Sequence, residues 1–286
     1  MFKFCLNTST LRGYQLTLRE EIEVAARAGY GAVEPWISEM EAHEENGGTL
    51  EELGRVARDN GVVVQGAIGF FEWIVDDPSR RTVALERARR DMERVARLGG
   101  NLIAAPPSGA TETSGLDLQR AAERYAALCE VGRQCGVRPL VEVWGFSQTL
   151  SRLGEAAFIA IESGHPDAGI LADVYHLHKG GSPPSGLAQL NGTQMPLFHV
   201  NDYPAAPGRE AIKDEQRIWP GDGVAPLGDI LTTLRRIGFD GYLSLELFNP
   251  QYWQSNALET ARTGLEKMQT VVNALDSEDN KEAVTS

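Results

Sequence analysis

What most constrains this chain is a rhythm in which short apolar runs alternate with helical segments that stop at glycines. The runs lie in FKFCLN, GAVEPW, GVVVQGAIGF, NLIAAPP, VRPLVEVWG, GILADVYH, PLFHVND and FDGYLSLELF. Runs this continuously apolar suit strands buried on both faces of a parallel sheet. The segments between them carry helix signals. TLREEIEVAARA opens on Thr17 with acids in its first turn and ends at Gly29, and TLEE from Thr49 is a capping-box pattern. Gly99, Gly136, Gly164 and Gly238 close later helices. Eight strand–helix units predict an α/β chain closed into a (β/α)8 barrel, one domain over residues 1–275 with a polar tail at 276–286 expected to be disordered. An open doubly wound sheet is the alternative. It would usually carry a glycine-rich phosphate turn after its first strand, and here that turn reads NTSTLRG.

Composition narrows the function classes. The net charge is -13, with 27 basic against 40 acidic residues, which disfavours nucleic acid and anionic membrane surfaces as partners. No apolar run approaches the ~18 residues of a membrane span, and the N-terminus lacks a secretory pattern. The cysteines, Cys5, Cys129 and Cys135, have neither a disulfide framework nor a metal-finger spacing. A cytoplasmic protein in a reducing compartment is expected. A homo-oligomer is compatible with the sequence.

The chemistry gathers at strand ends. Glu142, Asp173, His199 and Glu246 each close an apolar run, on the fifth to eighth strands in order. In a barrel of this type the C-terminal strand ends build the active site. One such residue alone is more often structural, but four on consecutive strands form a ligand set of three carboxylates and an imidazole. That set suits one divalent ion, Mn²⁺, Zn²⁺, Co²⁺ or Mg²⁺, with room for substrate oxygens. His176, three residues past Asp173, is either a donor to a substrate oxygen or a loop histidine. Asp202 either orients a ligand, contacts substrate or caps its loop. Arg217 in RIWPGDG is either a surface arginine or a fixed charge for an oxygen that becomes anionic in the transition state. Trp36, Phe70, Phe71 and Trp73 are candidates for the walls of a sugar-sized pocket.

The segments VEVWG, LADVYHLH, FHVND, DEQRIWPGDG and LSLELFNPQYW resemble the xylose-isomerase-like barrel family of sugar isomerases and epimerases, and within it the branch that isomerises keto-inositols. The resemblance is best from about Val137 to the last helix. The N-terminal half matches only through FKFCLN and the GFF segment, and residues 71–80 and 203–216 depart from the pattern. The resemblance implies that Glu142, Asp173, His199 and Glu246 hold the metal, that His176 and Arg217 contact substrate, and that Glu142 and Glu246 act as acid and base. The implied reaction is isomerisation of a keto-polyol or keto-sugar by proton transfer through a cis-enediolate. A ketose 3-epimerase, a hydroxypyruvate-type isomerase and a keto-sugar dehydratase or lyase begin with the same proton abstraction and stay open. A DNA-repair endonuclease on this barrel would need more than five histidines and a basic face. A catalytically dead, sugar-binding barrel is disfavoured because all four ligand positions are filled.

Overall fold

In the computed structural model, eight short strands follow one another in parallel around a closed ring. They are β1 (Lys3–Asn7), β2 (Ala32–Glu34), β3 (Val63–Val64), β4 (Leu102–Ala105), β5 (Arg138–Glu142), β6 (Ile170–Asp173), β7 (Leu197–Val200) and β8 (Tyr242–Leu245). The structure describes the backbone of residues 2–285 and side chains to Leu275. The tail expected at 276–286 lies outside the residues described in full. Strands pair in the order β3-β2-β1-β8-β7-β6-β5-β4. Backbone bonds from Ala67 N to Leu102 O (3.1 Å) and from Ala104 N to Ala67 O (2.9 Å) join the two ends and close the barrel.

The helices are α1 (Leu18–Ala28), α2 (Ile37–Glu45), α3 (Leu50–Asp59), α4 (Pro78–Leu98), α5 (Leu118–Cys135), α6 (Leu153–Glu162), α7 (Val174–Gly180), α8 (Leu227–Arg236) and α9 (Ala257–Thr285). Local chemistry explains their ends. Thr17 and Glu20 form a reciprocal capping box on α1, and Asp77 caps α4 with Pro78 in its first turn. Gly29 and Gly99, each at φ 101°, take the left-handed conformation that ends these two helices. Two helices depart from the expected pattern. Residues 37–45, between the expected second strand and the capping-box helix, form the additional helix α2. The segment expected to run as strand through His176 turns at Asp173 into α7, because the Asp173 carboxylate accepts from His176 N and caps the helix.

Alternation along each strand divides the core. Ile68, Leu102, Ala104, Leu140, Leu171 and Leu197 fill the barrel interior, whereas Ile103, Val141, Ile170, Phe198 and Leu243 face the helices. Burying each large side chain contributes roughly 1.5–3 kcal/mol. The arginine-rich face of α4 does more than stay solvated. Arg87 and Arg94 reach Glu41, Arg94 and Arg97 reach Glu44, and Arg97 reaches Glu51, so ion pairs tie α4 to α2 and α3. No helix among the described residues is long and apolar enough to cross a membrane.

Candidate active site

Strand register brings the polar tips level. Parallel pairing sets Asn7 beside Glu34, Asp173 beside His199, and Val200 beside Leu245, so Asn201 and Glu246 follow together at the C-terminal rim. Ligand atoms of Asp173, His199 and Glu246 all lie within 4.8 Å of one another. His199 Nδ1 is 3.3 Å from Glu246 Oε2 and 3.8 Å from Asp173 Oδ2. Asp173 is itself held by His176 N at 2.8 Å and Asn201 Nδ2 at 2.9 Å.

The tautomer of His199 follows from its partner. Its Nε2 lies 3.0 Å from Glu34 Oε2, and a carboxylate can only accept, so Nε2 donates. Nδ1 is buried without a hydrogen-bond partner and turns toward the two carboxylates. Burial works against a charge on this imidazole. The Glu246 and Glu34 carboxylates outweigh it and raise the pKa well above the usual histidine value. This point in the barrel therefore calls for a positive charge, and the donor set of carboxylate oxygens and one imidazole fits a divalent ion.

Glu142 is outside that three-residue cluster but lines the same cavity, with its Oε2 buried and unpartnered. Burial is the main reason its pKa is pushed up to about 8, and the Glu246 and Asp173 charges add to the rise. At Glu246 burial acts in the same direction, but the His199 and Arg217 charges prevail and hold its carboxyl well below the usual range. The two glutamates are thus driven to opposite protonation states.

Arg217 is buried, at 1% exposure, and is not a surface arginine. Its Nη1 donates to Glu246 Oε2 at 2.6 Å and Asp173 Oδ2 at 3.2 Å, and Nη2 donates to Asp214. The guanidinium lies 4.4 Å over the Tyr175 ring, and its Nε is buried and unpartnered. Gly145 N donates to His176 Nδ1 at 3.2 Å, and Arg217 Nη2, which can also only donate, lies 3.1 Å from His176 Nε2, so the two groups compete for the one lone pair of the neutral ring. Burial, then the Arg217 charge, lowers the His176 pKa and keeps the ring neutral. The Arg217 charge and the neutral His176 ring thus sit at the same corner of the cavity.

Asp202 has another task than the ligand or substrate contact open to it in the sequence. Its Oδ1 accepts from Tyr203 N (2.7 Å) and Ala225 N (2.9 Å), and its Oδ2 accepts from Gly221 N and Gly223 N (3.0 Å each). Both carboxylate oxygens are committed to folding the RIWPGDG loop, which carries Arg217. A Cβ at Gly223 would collide with the Asp202 side chain and Tyr203 O, so the loop needs glycine there.

The cavity lined by Glu142 and Glu246 measures about 320 Å³. Its walls are mostly aromatic: Trp36 and Phe70 have ring centroids 5.3 Å apart, Phe70 and Trp144 5.9 Å, and Trp144 and Phe146 5.1 Å, with Phe248 opposite Trp36 at 6.2 Å. Of the expected wall residues, Trp36 and Phe70 are there. Phe71 and Trp73 are buried in the core instead, with Trp73 Nε1 donating to Pro106 O at 2.8 Å. Glu34 is a further polar strand end, and GAVEPW shows the same signal as the other tips, an apolar run closed by a carboxylate.

The family model described as xylose isomerase-like TIM barrel matches residues 22–271. The chain belongs to this family. The inosose isomerase of Bacillus velezensis (strain DSM 23117 / BGSC 10A6 / LMG 26770 / FZB42) is 27% identical over 277 residues, covering 95% of this chain and 97% of the relative. The inosose isomerase of Bacillus licheniformis (strain ATCC 14580) is 31% identical over 202 residues, 69% of this chain and 72% of the relative. A crystal structure of IOLI protein with a binding zinc atom superposes with a TM-score of 0.88 at 21% identity, covering 96% of this chain and 99% of that one, a likeness of fold.

Proposed function

We propose that this barrel is a divalent-metal-dependent isomerase of a neutral keto-polyol or keto-sugar, with 2-keto-myo-inositol (inosose) as the favoured substrate. The observation that carries this reading is the cluster of Asp173, His199 and Glu246, with an unpartnered imidazole nitrogen, whose Glu246 also lines an aromatic-walled cavity together with Glu142. Asp173, His199 Nδ1 and Glu246 would hold the ion, with Glu142 as the fourth ligand. Bound there, the ion supplies Lewis acidity that polarises a ketone and acidifies the hydrogen on the adjacent hydroxyl-bearing carbon.

The chain's own groups do the rest. Glu246, held ionised by His199 and Arg217, takes that carbon-bound proton. Glu142, after taking up a proton from solvent, returns it to the former carbonyl carbon, and Glu246 gives its proton back to solvent. The hydroxyl proton moves between the two oxygens with His176 beside them. Arg217 supplies the fixed positive charge beside the oxygen as its negative charge grows. The aromatic walls keep water from the exposed carbanion face. Among the described residues, Arg217 is the one arginine or lysine lining the cavity, and it is already flanked by Asp173, Asp214 and Glu246, which disfavours a phosphorylated substrate.

The test is turnover in D₂O of keto-inositols, ketohexoses, hydroxypyruvate and sugar phosphates by zinc- or manganese-loaded protein. The expected result is deuterium at the carbon next to the carbonyl of a keto-inositol, loss of turnover with a chelator, and loss of metal in Asp173→Ala and His199→Ala. Full metal occupancy in both variants, or faster turnover of the phosphates, would sink the proposal.

A further inference from the structure

Glu34 reaches across the barrel interior. Its Oε2 collects one donor from each of three consecutive strands: Asn7 Nδ2 from β1 at 3.0 Å, Ser244 Oγ from β8 at 2.7 Å and His199 Nε2 from β7 at 3.0 Å. Asn7 is fixed in turn, because its Oδ1 accepts from Ser9 N at 3.0 Å and Trp36 Nε1 at 3.2 Å. Asn7 Nδ2 also lies 3.4 Å from Glu246 Oε1, so the same scaffold touches a second member of the cluster. Glu34 is fully buried, and its Oε1 has no partner. Packing alone does not call for a carboxylate at such a place, since an unsatisfied buried acceptor costs ~1–3 kcal/mol.

We infer that Glu34 is a positioning residue: anchored by Asn7 and Ser244, it holds the Nε2 hydrogen of His199 and so aims the Nδ1 lone pair at the ion shared with Asp173 and Glu246. Carboxylate partners of this kind fix ring orientation, fix the tautomer and strengthen the ligand, and their loss weakens metal binding by about 10–100-fold. The inference rests on the metal-site reading above and adds to it the residue that sets the site's affinity.

The experiment measures zinc dissociation constants by competition with a chromophoric chelator for wild type, E34A and E34Q, alongside melting temperatures of the metal-free proteins. The imidazole N–H resonance of His199 is followed in the zinc-loaded forms. E34A is expected to bind zinc about 10–100-fold more weakly and to lose the slowly exchanging Nε2–H signal. E34Q, which keeps an acceptor oxygen without the charge, should fall between E34A and wild type and retain the signal. A purely structural role would lower the melting temperature and leave the resonance and the wild-type-to-E34Q affinity ratio unchanged. If E34A does not fold, the E34Q affinity decides. Variants that bind zinc within threefold of wild type overturn the role of Glu34 and leave the site standing, whereas wild-type protein that takes up no zinc overturns the site itself.

Discussion

Replacing Arg217 separates two effects that the structure superimposes. The guanidinium neutralises Asp173, Asp214 and Glu246 in the folded protein, and in the proposed reaction it would also face the oxygen that gains charge during proton transfer. In Arg217→Met the stem volume is kept while every donor is lost. Breaking a buried charge set by removing one partner costs about 3–5 kcal/mol of stability. Removing one donor to a developing oxyanion costs about 3–4 kcal/mol of transition-state stabilisation, or 10²–10³ in kcat. Arg217→Lys keeps the charge but has a single ammonium, which cannot reach Glu246, Asp173 and Asp214 in the fork geometry of Nη1 and Nη2. It should recover most of the stability and little of the rate. Urea unfolding gives the first quantity, and turnover at saturating metal and substrate gives the second. A folded, metal-loaded Arg217→Met enzyme with kcat within threefold of wild type would refute this assignment of Arg217.

Two further outcomes concern residues away from the chemistry. Asp202→Asn replaces an acceptor of two backbone N–H groups with an amide that presents a donor to one pair of them. It should cost about 2–4 kcal/mol in urea unfolding and expose residues 203–225 to limited proteolysis; unchanged protease resistance would count against the loop-holding role. Glu21 on α1 is buried, and burial, followed by the neighbouring Glu39 charge, raises its pKa to about 10. The unfolded chain releases this proton near the ordinary carboxyl value, so the stabilising contribution is complete at pH below about 4 and is lost as pH rises toward 10. Across that window the slope approaches about 1.4 kcal/mol per pH unit. Glu21→Gln should flatten the decline in melting temperature between pH 6 and 9, and an unchanged slope would mean that Glu21 is ionised in the fold.

Much of this molecule is legible in one dimension. Each element that places the site is signalled locally, by runs such as LVEV and LFHV, caps such as Thr17 and Asp77, and glycine stops such as Gly29 and Gly99. A parallel strand buried on both faces has no polar residue to spare except at its tip, so Asp173, His199 and Glu246 stand out against apolar neighbours. The boundaries that failed did so where one side chain serves two purposes: Asp173 is both a candidate ligand and the cap of α7, which turns His176 onto a helix.

Distances across the barrel are a different kind of information. The run GAVEPW carries the same signal as the other tips, yet nothing in the sequence tells that Glu34 meets His199, 165 residues away, through the barrel interior. Whether Asp202 would face substrate or the backbone of its own loop depends on where residues 221–225 fold back, and four N–H groups decide it. The opposite protonation states of Glu142 and Glu246 follow from burial and from how near Arg217 and His199 come to one carboxylate. Local pattern determines which residues end a strand, because periodicity and capping act over a few residues. Only closure of the barrel determines which of those ends touch, because desolvation and Coulomb interaction depend on separation in space.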